Sequence, residues 1–339
     1  MIGRLLAAAV TLAVAALLLA ACWPQLFGLE QVFGVAQLVS LRGLAALVAV
    51  LAGVLLTLFA LLLYRIRRFL AGLAVLLLVF GVVTTGVLAV RGVGGGAFQT
   101  TASGDLIVLS WNTLGDAPGP DAIAGLAIDQ GADVVALPET SHEAGVAVQA
   151  LLAVAGHPMQ LVDRQLDTIS KARSTVLLIS TELGEYRRDD DAGTTPTLPS
   201  VVAVPVDGTG PTIVAAHPVA PVPGEMDNWR DGLAWLAERC ADADADVVVA
   251  GDLNSTLDHW AHLGSDAGIG ACDDVARAVG AAALGTWPAI MPPLLGSPID
   301  HVLATSAWQP IGFRVIESLD GSGSDHRPVV AQLRPDPGS

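Results

Sequence analysis

The chain is predicted to be an α/β protein whose folded domain follows a set of transmembrane α-helices. The first ninety residues hold three long uncharged apolar runs, and after residue 104 short Val/Ile/Leu-rich runs alternate with helix-like stretches. Polar residues gather in small islands where those runs stop.

The apolar runs Leu5 to Cys22, Gly43 to Leu63 and Phe69 to Val90 are each long enough to cross a ~30 Å hydrocarbon core at 1.5 Å per residue. They predict a membrane anchor over residues 1–91, with spans at about 5–22, 43–63 and 69–90. Arg4 precedes the first run and Arg65, Arg67 and Arg68 fill the turn between the second and third, so these sites are expected on the cytoplasmic side. The segment Trp23 to Arg42 and everything after Arg91 are then extracytoplasmic, with Arg42 and Arg91 as weak counter-evidence. A second reading of the first run is a signal peptide, because Leu19-Ala20-Ala21-Cys22 resembles a lipobox with Cys22 as the lipidated residue. The spans hold no internal acid or base to mark an ion path, which argues against a transporter.

Charge is divided unevenly along the chain. Only six of the 17 Lys and Arg and one acid, Glu30, precede residue 92, leaving 11 basic against 32 acidic residues, a net of −21. Such a domain has no general attraction for polyanions, and a nucleic acid or anionic headgroup would have to be held locally. Cys240 and Cys272 could pair in an oxidising compartment or remain two buried thiols; their spacing does not decide.

Residues 92–104, with Val93-Gly94-Gly95-Gly96-Ala97, read as a flexible linker, residues 105–334 as the domain and 335–339 as a tail. Strands are predicted at Leu106 to Trp111, Asp133 to Leu137, Thr175 to Ser180, Val201 to Val206, Thr212 to Ala216, Asp246 to Ala250, Ile299 to Ala304 and Val329 to Leu333. Several are continuous Val/Ile/Leu/Ala, as in strands covered on both faces. Helices are predicted at Asp121 to Gln130, at Ser141 to Ala155 with Ser141 as N-cap, and at Asn228 to Ala241. The stretches Asp189 to Pro199, His217 to Met226 and Ser255 to Pro298 are long and weakly patterned, as functional connections often are.

The islands carry the chemistry. Asp325-His326 is delivered on the turn Gly321-Ser322-Gly323-Ser324 and followed by a strand. Its imidazole could serve as a general base or as a cation opposing phosphoryl charge, given a second carboxylate to fix its tautomer; Asp300 is the candidate. Glu139 ends the run Asp133 to Pro138, so a buried strand carries a carboxylate to its C-terminal edge, a suitable ligand for a magnesium-class cation. There is neither a Cys/His zinc spacing nor an HExxH helix. Asp252 and Asn254 follow Val247 to Gly251 on one face of an extended segment, one suited to position water and the other to bind a phosphate oxygen. Asn112 could orient Glu139 or touch the metal, and His217 could donate to a phosphoryl oxygen. His142, His157, His259 and His262 read as surface or loop histidines, and Asp242, Asp244 and Asp246 as a solvated helix end.

In order, Trp111-Asn112, Pro138-Glu139, His217 with Arg230 beyond it, Gly251-Asp252-Leu253-Asn254, Ile299-Asp300-His301 and Gly323-Ser324-Asp325-His326-Arg327-Pro328 resemble the endonuclease/exonuclease/phosphatase superfamily of metal-dependent phosphohydrolases. The resemblance implies a four-layer αββα sandwich over about residues 105–334, with the site at one mouth. It further implies Mg²⁺ or Mn²⁺ held by Glu139, Asn112 and Asp325. Asp252 would orient or activate water, Asn254 and His217 would bind phosphate, and His326 paired with Asp300 would complete the catalytic set. The chain departs from the abasic-site endonuclease branch at Asn112-Thr113-Leu114, which lacks a second amide or acid, and His301 stands where an aromatic is common.

The expected activity is hydrolysis of a phosphoester, in nucleic acid or a phospholipid headgroup, by a membrane-anchored extracytoplasmic domain with no protein partner. The alternative is a catalytically silent envelope scaffold that keeps the fold.

Overall fold

A computed structural model describes residues 2–94, 98–166, 170–265 and 267–336. Residues 95–97 of the expected linker and 337–339 of the expected tail lie outside them.

Four helices lead the chain: α1 (Ile2–Cys22), α2 (Val35–Ser40), α3 (Arg42–Leu62) and α4 (Arg67–Arg91). Three of these, α1, α3 and α4, are long and apolar enough to span a membrane. The short α2 interrupts the segment between the first two spans.

The strands that follow are β1 (Leu106–Ser110), β2 (Val134–Pro138), β3 (Met159–Gln165), β4 (Ser174–Ser180), β5 (Tyr186–Arg188) and β6 (Val201–Pro205). Then come β7 (Thr212–Ala216), β8 (Val247–Asp252), β9 (Gly268–Ile269), β10 (Cys272–Asp274), β11 (Asp300–Ala304), β12 (Trp308–Val315) and β13 (Val329–Pro335). The helices among them are α5 (Pro120–Gln130), α6 (His142–Val154), α7 (Met226–Arg239) and α8 (Val275–Ala278). Ser141 caps α6 as expected, its hydroxyl accepting the Ala144 N–H at 3.2 Å.

One sheet has the order β12-β13-β1-β2-β4-β3 and the other β5-β6-β7-β8-β11-β10-β9. Period-two alternation makes the layers. Leu106 and Val108 of β1 join Val134, Ala136, Ile213, Ala215, Val248 and Ala250 in the core between the sheets. Ile107 and Leu109 instead pack with Ile123, Leu126, Val148 and Leu152 of α5 and α6, while Val214, Val249, Trp229, Leu233 and Leu236 join the second sheet to α7. The result is helices on sheet on sheet on helix, the αββα sandwich.

The strands without an expectation include all four sheet edges, β3, β5, β9 and β12. Edge strands need less apolar patterning because one side is unpaired. Thus β3 carries Gln160, Asp163, Arg164 and Gln165, and β12 tolerates Pro310 beside a register shift.

Packing against the domain corrects several sequence expectations at the anchor. Arg42 and Arg91 converge on Asp258: Arg42 donates from Nη2 to Oδ1 at 2.6 Å and from Nε to Oδ2 at 2.7 Å, and Arg91 Nη1 donates to Oδ2 at 2.8 Å. These arginines are ion-pair partners inside an interface, which explains why they lie at the domain end of the helices. His259 is fully buried rather than superficial, bonded through Nε2 to Ala36 O at 3.1 Å. His142 and His262 are exposed as expected, the first beside Asp163 and the second beside Glu30, whereas Asp246 is partly buried and accepts Trp308 Nε1 at 2.6 Å. The start of the linker is tied down as well, the carbonyls of Arg91 and Gly92 accepting the N–H groups of Ala282 and Ala283. Arg230 lies away from the catalytic cluster and bonds Gln31 O and Asp227.

Cys240 and Cys272 form a disulfide with a Cα–Cα distance of 5.4 Å, while Cys22 is a free thiol.

Candidate active site

Topology brings the islands together. β1 and β2 run parallel, as do β7 and β8, so their C-terminal ends present Asn112, Glu139, His217 and Asp252 at one mouth of the sandwich. β11 is antiparallel to β8 with Asp300 opposite Asp252, and β13 is antiparallel to β1 with Val329 opposite Ser110. The starts of these two strands therefore reach the same mouth and add Asp300, Asp325 and His326. Gly251 permits the approach of β7 to β8, since a Cβ there would lie 1.9 Å from Ala216 O.

His326 Nδ1 lies 2.9 Å from Asp300 Oδ2, leaving Nε2 facing Asp252 Oδ2 at 3.7 Å and Asp325 Oδ1 at 4.0 Å. Its loop is held to the end of β1: Trp111 Nε1 donates to His326 O at 3.0 Å, and Ser324 Oγ donates to Asn112 O at 2.6 Å. Asn112 Nδ2 donates to Glu139 Oε1 at 3.1 Å and Asp252 Oδ2 at 3.0 Å, and its Oδ1 accepts the Leu114 N–H. That arrangement favours the orienting alternative for Asn112. Asn254 donates its backbone N–H to Asp252 Oδ1 at 2.9 Å and its side-chain amide to Pro218 O at 3.0 Å. Glu139 and Asn254 both occupy the left-handed region, with φ of 57° and 45°, a strain commonly retained at functional sites.

Burial and charge set the protonation pattern. For His326, burial favours the neutral ring, but the Asp300 and Asp252 carboxylates outweigh it and push the pKa up to about 10. Burial pushes Asp252 up to about 7, against the pull of His326. His217 is driven down to about 3 by burial and then by the His326 charge, so it is a neutral imidazole. Burial also raises Glu139, opposed by the Asn112 hydrogen bond.

The metal expectation can be tested against the donors present. Asp300 Oδ1, Asp325 Oδ1 and both nitrogens of His217 are buried without a hydrogen-bond partner among the described residues. Oxygen donors from Glu139, Asp252 and Asp325 suit a hard cation, and leaving such atoms unpaired is costly without one. One ligand atom each from Asp252, Asp300 and His326 lie within 4.8 Å of one another, a metal-capable group that differs from the expected set of Glu139, Asn112 and Asp325. The residues fit a divalent metal.

Glu139, Asp252, Asn254, Asp325 and His326 line one cavity of about 460 Å³. His217 lies just behind its wall, 3.7 Å from Glu139 Oε1 and 3.9 Å from Asp252 Oδ2. Two positioning residues escaped the sequence reading. Trp287 Nε1 donates to Asp325 Oδ2 at 2.8 Å, and Thr286 Oγ1 accepts the N–H groups of Ile299 and Asp300, each at 3.2 Å. Both sit in the weakly patterned stretch before β11, where no local signal marks them. A larger cavity of about 1000 Å³ between the apolar helices and the domain contains none of the catalytic candidates.

The fold and site define an α/β protein of the αββα-sandwich class with a metal-capable carboxylate–imidazole cluster at one mouth. The sequence profile of the Endonuclease/Exonuclease/phosphatase family matches residues 109–326, and the chain belongs to that family. Among solved structures, one similar to it is an endonuclease/exonuclease/phosphatase from Beutenbergia cavernae, 22% identical over 68% of this chain and 72% of that one, with a TM-score of 0.51. A humanized D. rerio TDP2 is 19% identical over 68% of this chain and 100% of its own, at a TM-score of 0.51. A Bacteroides vulgatus endonuclease/exonuclease/phosphatase is 15% identical over 68% and 99%, at 0.50. No curated protein matches the chain in sequence.

Proposed function

We propose that this protein is a divalent-metal-dependent phosphoester hydrolase, held in a membrane by α1, α3 and α4, with its catalytic domain on the extracytoplasmic side. The observation that carries the reading is the convergence of Glu139, Asp252, Asp325 and His326 on one cavity, with Asp300 paired to His326 and His217 directly behind the wall.

Each residue has a proposed task. His326, its Nδ1 anchored by Asp300, directs Nε2 into the cavity and opposes charge gathering on the phosphoryl group. Asp252, fixed by Asn112 and the Asn254 N–H, orients the attacking water and takes its proton. His217 and the Asn254 amide receive phosphoryl oxygens. Mg²⁺ or Mn²⁺ held by Glu139 and Asp325, with Asn112 alongside, would supply charge neutralisation and polarisation of the phosphoryl group.

Orientation is supported from both ends of the helices. The domain side carries Cys22, Arg42 and Arg91, whereas Arg4, Arg65, Arg67 and Arg68 are at the opposite ends, as the positive-inside rule requires of a cytoplasmic face. The Cys240–Cys272 disulfide suits an oxidising compartment.

Nucleic acid is the second substrate reading, since D. rerio TDP2 has been crystallised with a single-strand DNA product. The net charge of −21 after residue 91 weighs against it. The test is hydrolysis by the full chain in detergent, with Mg²⁺ or Mn²⁺ and with EDTA, on plasmid DNA, RNA, sphingomyelin and phosphoinositides beside His326→Ala. EDTA-sensitive turnover lost in the variant is the expected result; metal binding without turnover on any phosphoester would leave the scaffold reading.

A further inference from the structure

The catalytic cavity has a wall that does not come from the sandwich. Gln37, Ser40 and Leu41 line it together with Glu139, Asp252 and His326. They belong to α2 and to the residue that joins it to α3, so Leu41 stands next to Arg42, the first residue of a helix able to span a membrane.

This wall is fastened to the domain on every side. Gln37 donates its amide to Pro221 O, whose residue also lines the cavity, and the buried Ala36 accepts from His259. Arg42 closes the segment onto Asp258. A loop of the domain packs against the same helix start: a Cβ at Gly43 would lie 1.7 Å from Leu294 O, so only glycine allows that contact. The loop runs on from Trp287, which both lines the cavity and holds Asp325.

The side chains around this junction are apolar and face outward. Ile290 is 93% exposed and Leu294 49%, on the loop touching α3, while Leu114 and Val222 at the cavity itself are 46% and 45% exposed. Phe27 and Phe33, between α1 and α2, are also exposed. An apolar rim at the point where a spanning helix begins is placed to meet a bilayer interface, and a strongly acidic domain offers no compensating field for a polyanion.

We propose that the membrane anchor is a working part of the active site, with Leu41 and Gln37 as specificity-determining residues, and that the substrate is an amphiphilic phosphoester taken from the bilayer. Its phosphate lies against His326, Asp252 and Glu139, and its apolar chain leaves along Leu41, Leu114 and Val222 toward the membrane. The inference rests on the phosphoesterase reading above and adds the substrate class.

The test uses the full chain in phosphatidylcholine nanodiscs with Mn²⁺. Sphingomyelin or phosphatidylinositol embedded in the disc is compared with bis(p-nitrophenyl) phosphate, a small soluble phosphodiester, and with single-stranded DNA. The expected result is a kcat/KM ratio that favours an embedded lipid and falls about tenfold in Leu41→Gln, the scale set by lost apolar contact in a pocket. Ile290→Ser, at a position too exposed to affect folding, should lower the same ratio through KM. A lipid-to-soluble ratio unchanged in both variants, or a preference for DNA, overturns the inference while leaving the phosphoesterase reading intact. Absence of turnover on every substrate overturns that reading and the inference with it.

Discussion

Substituting Asp258→Asn tests whether the anchor and the domain form one folded unit. Arg42 and Arg91 both donate to this carboxylate, which is 2% exposed against 5% and 13% for the two arginine side chains. Burial alone would push the Asp258 carboxyl up, but Arg91 and Arg42 reverse this and hold it far below the ordinary carboxylate range. A neutral amide would leave two guanidinium groups largely out of water with no counter-charge, at a cost of about 3–5 kcal/mol. For a domain of this size that corresponds to a fall in Tm of roughly 6–20 °C. The assay is thermal unfolding of the full chain in detergent, followed by tryptophan fluorescence. Replacing the whole network with apolar groups, Arg42→Met, Arg91→Met and Asp258→Leu together, should recover most of the loss, because the penalty lies in the orphaned charge. A cost below about 1 kcal/mol for Asp258→Asn, the range of exposed pairs, would refute the buried-network argument. Since the folded-state pKa is depressed, the contribution is present above the unfolded value and stays constant across neutral and mildly acidic pH.

Two further outcomes follow from other parts of the fold. The Cys240–Cys272 bridge closes a loop with a sequence separation of 32, so the double Ser variant should lose roughly 3–4 kcal/mol, read as a lower denaturation midpoint with a larger m-value, because the unfolded chain without the cross-link exposes more surface. Asp105 is lowered to about 2, chiefly by its hydrogen bonds from Arg334 and against the effect of burial. The stability it confers is therefore complete above its unfolded value of about 3.9 and drains away as pH falls toward 2. The Tm difference between the natural chain and Asp105→Asn should be flat from neutral pH to about pH 5 and shrink below about pH 4; a difference that grows on acidification would contradict the pairing with Arg334.

Much of the site was legible because its residues lie at the ends of strands that announce themselves. The run Val247 to Ala250 fixes where Asp252 and Asn254 emerge, and Val134 to Pro138 does the same for Glu139. Each such signal is local, a matter of side chains alternating along an extended backbone. The edge strands β3 and β12 were not legible, because a strand paired on one side needs no continuous apolar run. Trp287 and Thr286 were missed for a related reason: they lie in irregular backbone, and their importance comes from what they touch.

The amino-acid sequence alone thus determined the helices long and apolar enough to span a membrane, most inner strands and which residue types stand at the candidate site, all properties of neighbouring residues. Packing decided the partnerships. Asn112 reaches Asp252 across 140 residues of chain, and Arg42 reaches Asp258 across 216, contacts that exist only after two sheets and an anchor have closed on one another. For the same reason Arg42 and Arg91 read in the sequence only as weak counter-evidence on orientation, and the segment that holds α2 only as extracytoplasmic. Burial turned the first into an ion-pair network, and the closing of the fold made the second a wall of the candidate site's cavity.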